Sequence, residues 1–148
     1  MGIVYLSDSS VDIGENICIH GLDLEKKYYL RRFKKPLDIG YIKERLHIYR
    51  SHYNILMAHS PLFIKDYEKS GVDLTLCGHF HGGTIRLPTG IGVMTPQFHF
   101  FNRLVVGMKR LGNMTEIIGA GLGTHSINIR LNDMSELVVI NLKGRKRA

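Results

Sequence analysis

Two histidines separated by one residue, His79 and His81, are the residues whose types and spacing offer the clearest chemistry. They lie in the stretch "LCGHFHGG" (76–83), where one glycine precedes the pair and two follow it. Imidazole binds Mn, Fe, Zn and Ni alike, so the pair indicates a metal site without choosing the metal. The glycines let the backbone turn sharply and leave space for an ion and a bulky anion.

The residues around this pair predict a strand–helix–strand unit. "YNILMAH" (53–59) and "VDLTLCG" (72–78) are apolar runs typical of central strands that are covered on both faces. The segment between them, 60–71, starts with a capping serine and a proline and ends in glycine, which is typical of a helix. We therefore expect 53–78 to form two parallel strands joined by a right-handed helical crossover.

This unit predicts that a third histidine joins the pair. His59 ends the first strand, and His79 and His81 follow the second. Parallel strands end at the same edge of a sheet, where open α/β sheets usually bind their ligands. The sequence therefore predicts that His59, His79 and His81 converge on one cavity and bind metal.

The remainder of the chain predicts an αβ half followed by a β-rich half, within one domain. Short strands are expected at 3–6 and 15–22, and an amphipathic helix at 39–50. From residue 82 onward, Gly and Pro interrupt a series of short β-like runs, which are "GGTIRLP", "IGVMTP", "TEIIGAGLG", "INIRL" and "SELVVINLK".

The histidines and cysteines allow one alternative arrangement. Cys77 could join His59, His79 and His81 in a closed structural zinc site. The isolated histidines are expected to be surface or hydrogen-bonded residues; they are His47, His52, His99 and His125. With only two cysteines, each in an apolar run, a disulfide framework is not expected.

The basic charge allows acidic partners without identifying one. The net charge is +7, and the runs 25–35 and 143–148 hold ten of the twenty Lys and Arg residues. Such runs usually form solvated faces or chain ends. An anionic membrane surface is a further partner that the charge allows. Specific nucleic-acid recognition is not expected, because no motif for base contacts accompanies the basic residues.

The histidine motifs resemble a known family. "ILMAHSP" followed by "GVDLTLCGHFHGG" is similar to the last two metal-binding motifs of the calcineurin-like metallophosphoesterases. The downstream "RLP", "GLGTHSINIR" and "ELVVINL" resemble a bacterial subgroup whose members are often membrane-associated. The resemblance runs from about residue 2 to 142. It implies an α/β fold, a four-layer α/β/β/α sandwich with two mixed sheets flanked by helices, represented here by its C-terminal part.

The resemblance also implies roles for the three histidines. His59 and His79 resemble the histidines that bind the second metal, and His81 resembles a ligand of the first. The cofactors would be two divalent ions (Mn, Fe, Zn or Ni), and the substrate a phosphomonoester or phosphodiester. Hydrolysis would proceed by in-line attack of metal-activated hydroxide on phosphorus.

The family's N-terminal motifs are not found in this sequence. D-x-H, G-D with a bridging aspartate, and G-N-H with a following acid are missing. We therefore expect 1–148 to be a partial phosphoesterase domain, which a truncation, a split gene or a secondary start could produce. Its aspartates lack the flanking pattern, and Asp8 and Asp23 are the first carboxylates to test if the site is complete after all.

A partial domain has consequences for activity and for partners. Three histidines cannot assemble a two-metal centre, so the isolated chain is expected to be inactive. Its open face is expected to expose apolar surface for the missing N-terminal half or another protein. The alternative is a non-catalytic remnant of the same fold that binds metal or a partner. Either a cytoplasmic or a membrane-associated location is consistent with the sequence.

Overall fold

The computed structural model describes residues 2–29, 36–82, 85–86, 92–94, 100–102, 106–123 and 130–144. Two short α-helices and nine strands form within these ranges. The helices are α1 (Ile39–Arg45) and α2 (Ile64–Ser70), with 3-10 turns at Lys26–Tyr29 and Pro61–Phe63. The strands are β1 (Ser9–Ile13), β2 (Ile17–Leu22), β3 (Tyr53–Ala58), β4 (Leu74–Cys77), β5 (Ile85–Arg86), β6 (Gly92–Met94), β7 (Phe100–Asn102), β8 (Gly107–Leu111) and β9 (Met114–Ile118).

The strands form two sheets. The larger has the order β1-β2-β3-β4-β9-β8, and β2, β3, β4 and β9 run parallel at its centre. Its two edge strands, β1 and β8, are antiparallel to their neighbours. The smaller sheet has the order β5-β6-β7 and is antiparallel. This mixed α/β architecture confirms the expected fold class.

The strand–helix–strand unit forms with the predicted parallel pairing. β3 and β4 pair in parallel, with Leu56 opposite Thr75. The Ser60 hydroxyl accepts a hydrogen bond from the Leu62 N–H at 3.4 Å and caps the start of the helical segment. Gly71 ends α2 in the left-handed conformation, with φ of 92°.

The hydrophobic core lies between the helices and one face of the larger sheet. Tyr67 of α2 and Ile42 of α1 are fully buried there beside Leu56 of β3. The Tyr67 hydroxyl donates to the Ser60 carbonyl oxygen at 2.8 Å, so its polar end is satisfied inside the core. No helix in the described ranges is long and apolar enough to cross a membrane.

A polar network occupies the same face near the sheet edge. His20 is fully buried, and its ring nitrogens lie 2.7 Å from the Ser10 hydroxyl and 3.0 Å from the Asn54 side-chain oxygen. The Asn54 amide donates to the carbonyl oxygens of Tyr49 and His52. Burial lowers the pKa of His20, so the imidazole is neutral and holds β1, β2 and β3 together through hydrogen bonds.

Two predictions in the first half of the chain need correction. Residues 3–6 are not a strand, and the first strand is β1 at Ser9–Ile13. The turn at Gly14, with φ of 64°, lets this segment pair in antiparallel register with β2, an arrangement that local composition does not reveal. The predicted helix at 39–50 ends earlier, because Leu46 is extended and its side chain enters the core.

A further correction concerns the C-terminal run. The composition of "SELVVINLK" (135–143) predicts a strand, but the structure describes it as irregular chain in which Leu137 and Val139 are exposed. β-branched residues favour a strand only where a neighbouring strand covers them. Of the predicted run "INIRL" (127–131), residues 127–129 lie outside the described residues.

The face of the larger sheet opposite the helices carries exposed apolar side chains. Met57 alternates with the buried Leu56 along β3 and is 46% exposed. Ile13 and Met108, on the two edge strands, are exposed as well. Exposed apolar side chains on a sheet mark a surface suited to contact with further polypeptide.

Candidate metal centre

His59 and His79 meet at one edge of the larger sheet. His59 follows β3 directly, and His79 lies two residues after β4. Their ring centroids are 4.8 Å apart and the rings are nearly perpendicular. The Gly78 N–H donates to the His59 carbonyl oxygen at 3.1 Å and ties the two loops together. The expected convergence of these two imidazoles is therefore observed.

The loop that carries His79 and His81 has an unusual backbone. His79, His81 and Gly82 have φ values of 71°, 48° and 76°. For a residue with a side chain such a conformation costs about 1–3 kcal/mol, and such residues cluster at functional sites. The two histidines are thus held in a strained loop by contacts elsewhere in the fold.

Phe80 supplies one of these contacts. It lies between the two histidines, and its side chain is fully buried while His79 and His81 are half-buried. The Phe80 N–H donates to the Gly78 carbonyl oxygen at 2.9 Å. The buried phenyl ring therefore anchors the loop that carries the two imidazoles.

Tyr29 forms an aromatic wall beside the histidines. Its ring centroid lies 5.3 Å from that of His79 and 5.8 Å from that of His59. Burial raises the pKa of its hydroxyl to about 12, so the side chain is neutral at physiological pH. No local pattern signals this role, since Tyr29 lies in a basic run whose composition is typical of a solvated face.

The arrangement fits one side of a metal site. His59 is exposed to solvent, whereas His79 is half-buried and its Nε2 atom is shielded from solvent. Within the described residues there is no group of three or more His, Cys, Asp or Glu side chains placed to hold a metal ion. The ligand roles of His59, His79 and His81 therefore stay predictions.

The alternative zinc site with Cys77 does not form among the described residues. The Cys77 thiol is directed at the Ser60 carbonyl oxygen, at 3.7 Å, and at a Glu116 carboxylate oxygen, at 3.8 Å. Burial raises the pKa of this thiol well above its ordinary value, so the thiol is protonated when no metal is bound. Cys77 thus belongs to the core beneath the histidine edge.

Two buried carboxylates near this edge lie outside every motif of the sequence. Glu116 lies on β9 next to the Cys77 thiol, and burial raises its pKa to about 7. The Asp133 carboxylate packs against Gly82, directly after His81. In contrast, Asp8 pairs with Arg45 at 3.2 Å. Only the folded chain reveals the place of Asp133, because about fifty residues separate it from the histidine loop.

Comparison with known proteins shows relatives for most of the chain. An uncharacterized metallophosphoesterase of Campylobacter jejuni is 34% identical over 110 residues, 74% of this chain and 27% of the relative. The uncharacterized metallophosphoesterase YkuE of Bacillus subtilis is 33% identical over 95 residues, 62% of this chain and 32% of the relative. The uncharacterized protein YpbG of the same bacterium is 29% identical over 151 aligned residues, 97% of this chain and 49% of the relative.

This similarity has limits. No family model and no solved structure matches the chain. The chain spans between about a quarter and a half of the length of these curated relatives, from 27% to 49%.

Proposed function

Part of this chain matches the metallophosphoesterase family, and from this premise we propose that it supplies the histidine side of a metal-dependent phosphoesterase site. The substrates would be phosphomonoesters or phosphodiesters. The observation that supports the proposal best is the 4.8 Å approach of the His59 and His79 rings at the carboxyl edge of a parallel sheet.

The proposal gives each residue of the edge a role. His59, His79 and His81 would hold divalent metal through neutral imidazole nitrogens, with Mn, Fe, Zn or Ni as the candidate ions. Such an ion stabilises the negative charge that develops on the phosphoryl oxygens. Tyr29, a neutral ring against both His59 and His79, would orient the imidazoles and keep bulk water from one side of them.

A complete site needs ligands beyond the described residues. Three neutral imidazoles leave the charge of two dications uncompensated, so carboxylates must be added. We propose that they come from further polypeptide that carries the D-x-H, G-D and G-N-H motifs, which the family resemblance implies. The exposed apolar face around Met57 is a surface on which such polypeptide could pack.

A second candidate is a non-catalytic remnant of the same fold that binds one metal ion or a partner. The observation that favours it is the lack of any group of three or more potential ligands among the described residues. Under this second proposal the chain binds metal weakly and turns over no phosphate ester under any condition.

Hydrolysis of bis-p-nitrophenyl phosphate with Mn²⁺ separates the two candidates. The chain alone is expected to show little or no turnover. Adding a segment of a relative that carries the three missing motifs, in trans or as a fusion, is expected to restore activity. His79→Ala should abolish the restored activity, while His47→Ala, at an exposed histidine away from the sheet edge, should not.

Two results would contradict the first candidate. If the completed protein stays inactive with intact fold and bound metal, the remnant is the better description. If the chain alone hydrolyses the diester at ordinary enzyme rates and loses this on His79→Ala, the site is already complete, and Asp133 is the first carboxylate to test.

A further inference from the structure

The histidine loop, residues 78–82 after β4, has a neighbouring loop at the same sheet edge. β4 and β9 are parallel neighbours, so the loop after β9 lies beside the loop after β4. The Gly119 N–H donates to the Cys77 carbonyl oxygen at 3.0 Å, which continues the pairing beyond the strands. Residues that fix the loop after β9 are thus placed to act on His79 and His81.

Asp133 reaches from the C-terminal segment into the histidine loop. Its side chain is fully buried, which is unusual for a carboxylate. A Cβ atom added at Gly82 would overlap the Asp133 carboxylate. The φ of 76° at Gly82 also favours glycine. The backbone at this position therefore favours a residue without a side chain, and the Asp133 carboxylate fills the space that a side chain would need.

Arg130 ties this carboxylate to the neighbouring loop. Its guanidinium lies 3.7 Å from an Asp133 oxygen. The same guanidinium donates to the carbonyl oxygens of Ala120, at 3.1 Å, and of Gly121 and Gly123. Arg130 and Asp133 therefore link the loop after β9 to the loop that carries the two histidines.

From this geometry we propose that Asp133 is a positioning residue that fixes the histidine loop and supplies negative charge behind it, thereby strengthening metal binding at His79 and His81. The inference rests on the proposed function. The buried carboxylate lies against Gly82, the residue that follows His81, so its charge attracts a cation at the loop and its contact with Gly82 holds the strained backbone in place. Asp133 acts through the loop, since the described residues form no ligand group of three or more.

A space-filling role is the competing explanation for the same contacts. Asn has nearly the shape of Asp, so Asp133→Asn keeps the packing against Gly82 and removes the charge. That variant leaves the largely buried Arg130 guanidinium without its carboxylate, which by itself lowers stability. The double variant Arg130→Gln/Asp133→Asn removes the unpaired guanidinium, at the loss of its hydrogen bonds to the loop after β9.

The experiment measures Ni²⁺ affinity by calorimetry and thermal unfolding of the metal-free protein, using the full chain. The proteins compared are wild type, His79→Ala, Asp133→Asn and the double variant. Asp133→Asn is expected to weaken Ni²⁺ binding by about 10- to 100-fold, the range seen for groups that support metal ligands. The double variant is expected to recover part of the unfolding temperature but not the Ni²⁺ affinity.

Each contrary outcome has a distinct meaning. If wild type binds no Ni²⁺, or binds it equally after His79→Ala, the proposed function fails and this inference fails with it. If His79→Ala abolishes binding while Asp133→Asn binds as tightly as wild type, only the inference is overturned. Recovery of both affinity and stability in the double variant would also overturn it, since the loss would then stem from the unpaired Arg130.

Discussion

Glu116 places an ionisable group inside the core, and its protonation couples stability to pH. The side chain is fully buried on β9, opposite Thr75 of β4, and burial raises its pKa from 4.5 to about 7. The folded state therefore holds this proton more tightly than the unfolded chain does. Its stabilising effect is complete below pH 4.5 and is lost as pH rises through about 7.

Glu116→Gln tests this coupling. Wild type should lose about 2–3 kcal/mol of unfolding free energy between roughly pH 5 and pH 8, because a tenfold difference in proton affinity between the folded and unfolded states corresponds to about 1.4 kcal/mol. Glutamine does not titrate, so the unfolding free energy of the variant relative to that of wild type should increase as pH rises. Urea unfolding at both pH values measures the difference, and the exposed Glu44→Gln is the control. If the unfolding free energies of wild type and Glu116→Gln differ by the same amount at both pH values, the coupling is contradicted.

At the residue scale, the sequence predicts the three histidines of the candidate site but not the residues that pack beside them. His79 and His81 can be recognised because glycines and an apolar strand surround them in the chain itself. Tyr29 and Asp133 cannot, since neither has a local pattern and each reaches the site only through tertiary packing. A flanking motif is the wrong criterion for Asp133, because burial beside Gly82 is what distinguishes it from the other aspartates.

At the scale of elements, local chemistry predicts the strand–helix–strand unit well. Ser60 and Gly71 cap the helical segment as their types indicate. Prediction fails where pairing decides structure: β1 forms through its register with β2, and 135–143 stays irregular despite its apolar composition. Strand preference depends on neighbours that a linear pattern does not show.

Two glycine substitutions test the backbone at the end of α2 and in the first turn of α1. Gly71 has φ of 92° with open space around it, so Gly71→Ala should cost about 1 kcal/mol through backbone strain alone. Gly40 lies in the first turn of α1, where Ala is the better helix former. Gly40→Ala should therefore be neutral or stabilising by up to about 1 kcal/mol. Urea unfolding compares the pair, and equal destabilisation would contradict these assignments.

At the scale of the molecule, the two faces of the larger sheet differ. One is covered by α1 and α2, and the other exposes Met57 and the edge-strand residues Ile13 and Met108. We expect the open face to drive self-association of the chain when no complementary polypeptide is present. Under the proposed function, the same face is the surface on which the added polypeptide packs.

Met57→Lys tests this association. A charge at the centre of the open face should shift sedimentation toward monomer, because burying the ammonium in an interface is costly. Leu62→Lys is the matched control, since Leu62 is 38% exposed but lies beside α2, on the covered side. A monomeric wild type, or equal effects of the two substitutions, would contradict an associating face.

The most direct measurement of the central claim is Ni²⁺ binding to the purified chain, compared with His59→Ala, His79→Ala and His47→Ala. The His59 and His79 rings lie 4.8 Å apart and are expected to share one ion, whereas His47 is exposed and packs on Tyr49. We expect one saturable site that either of the first two substitutions weakens by at least about tenfold and that His47→Ala leaves unchanged. Unaltered affinity after His59→Ala or His79→Ala would contradict a metal site at this sheet edge.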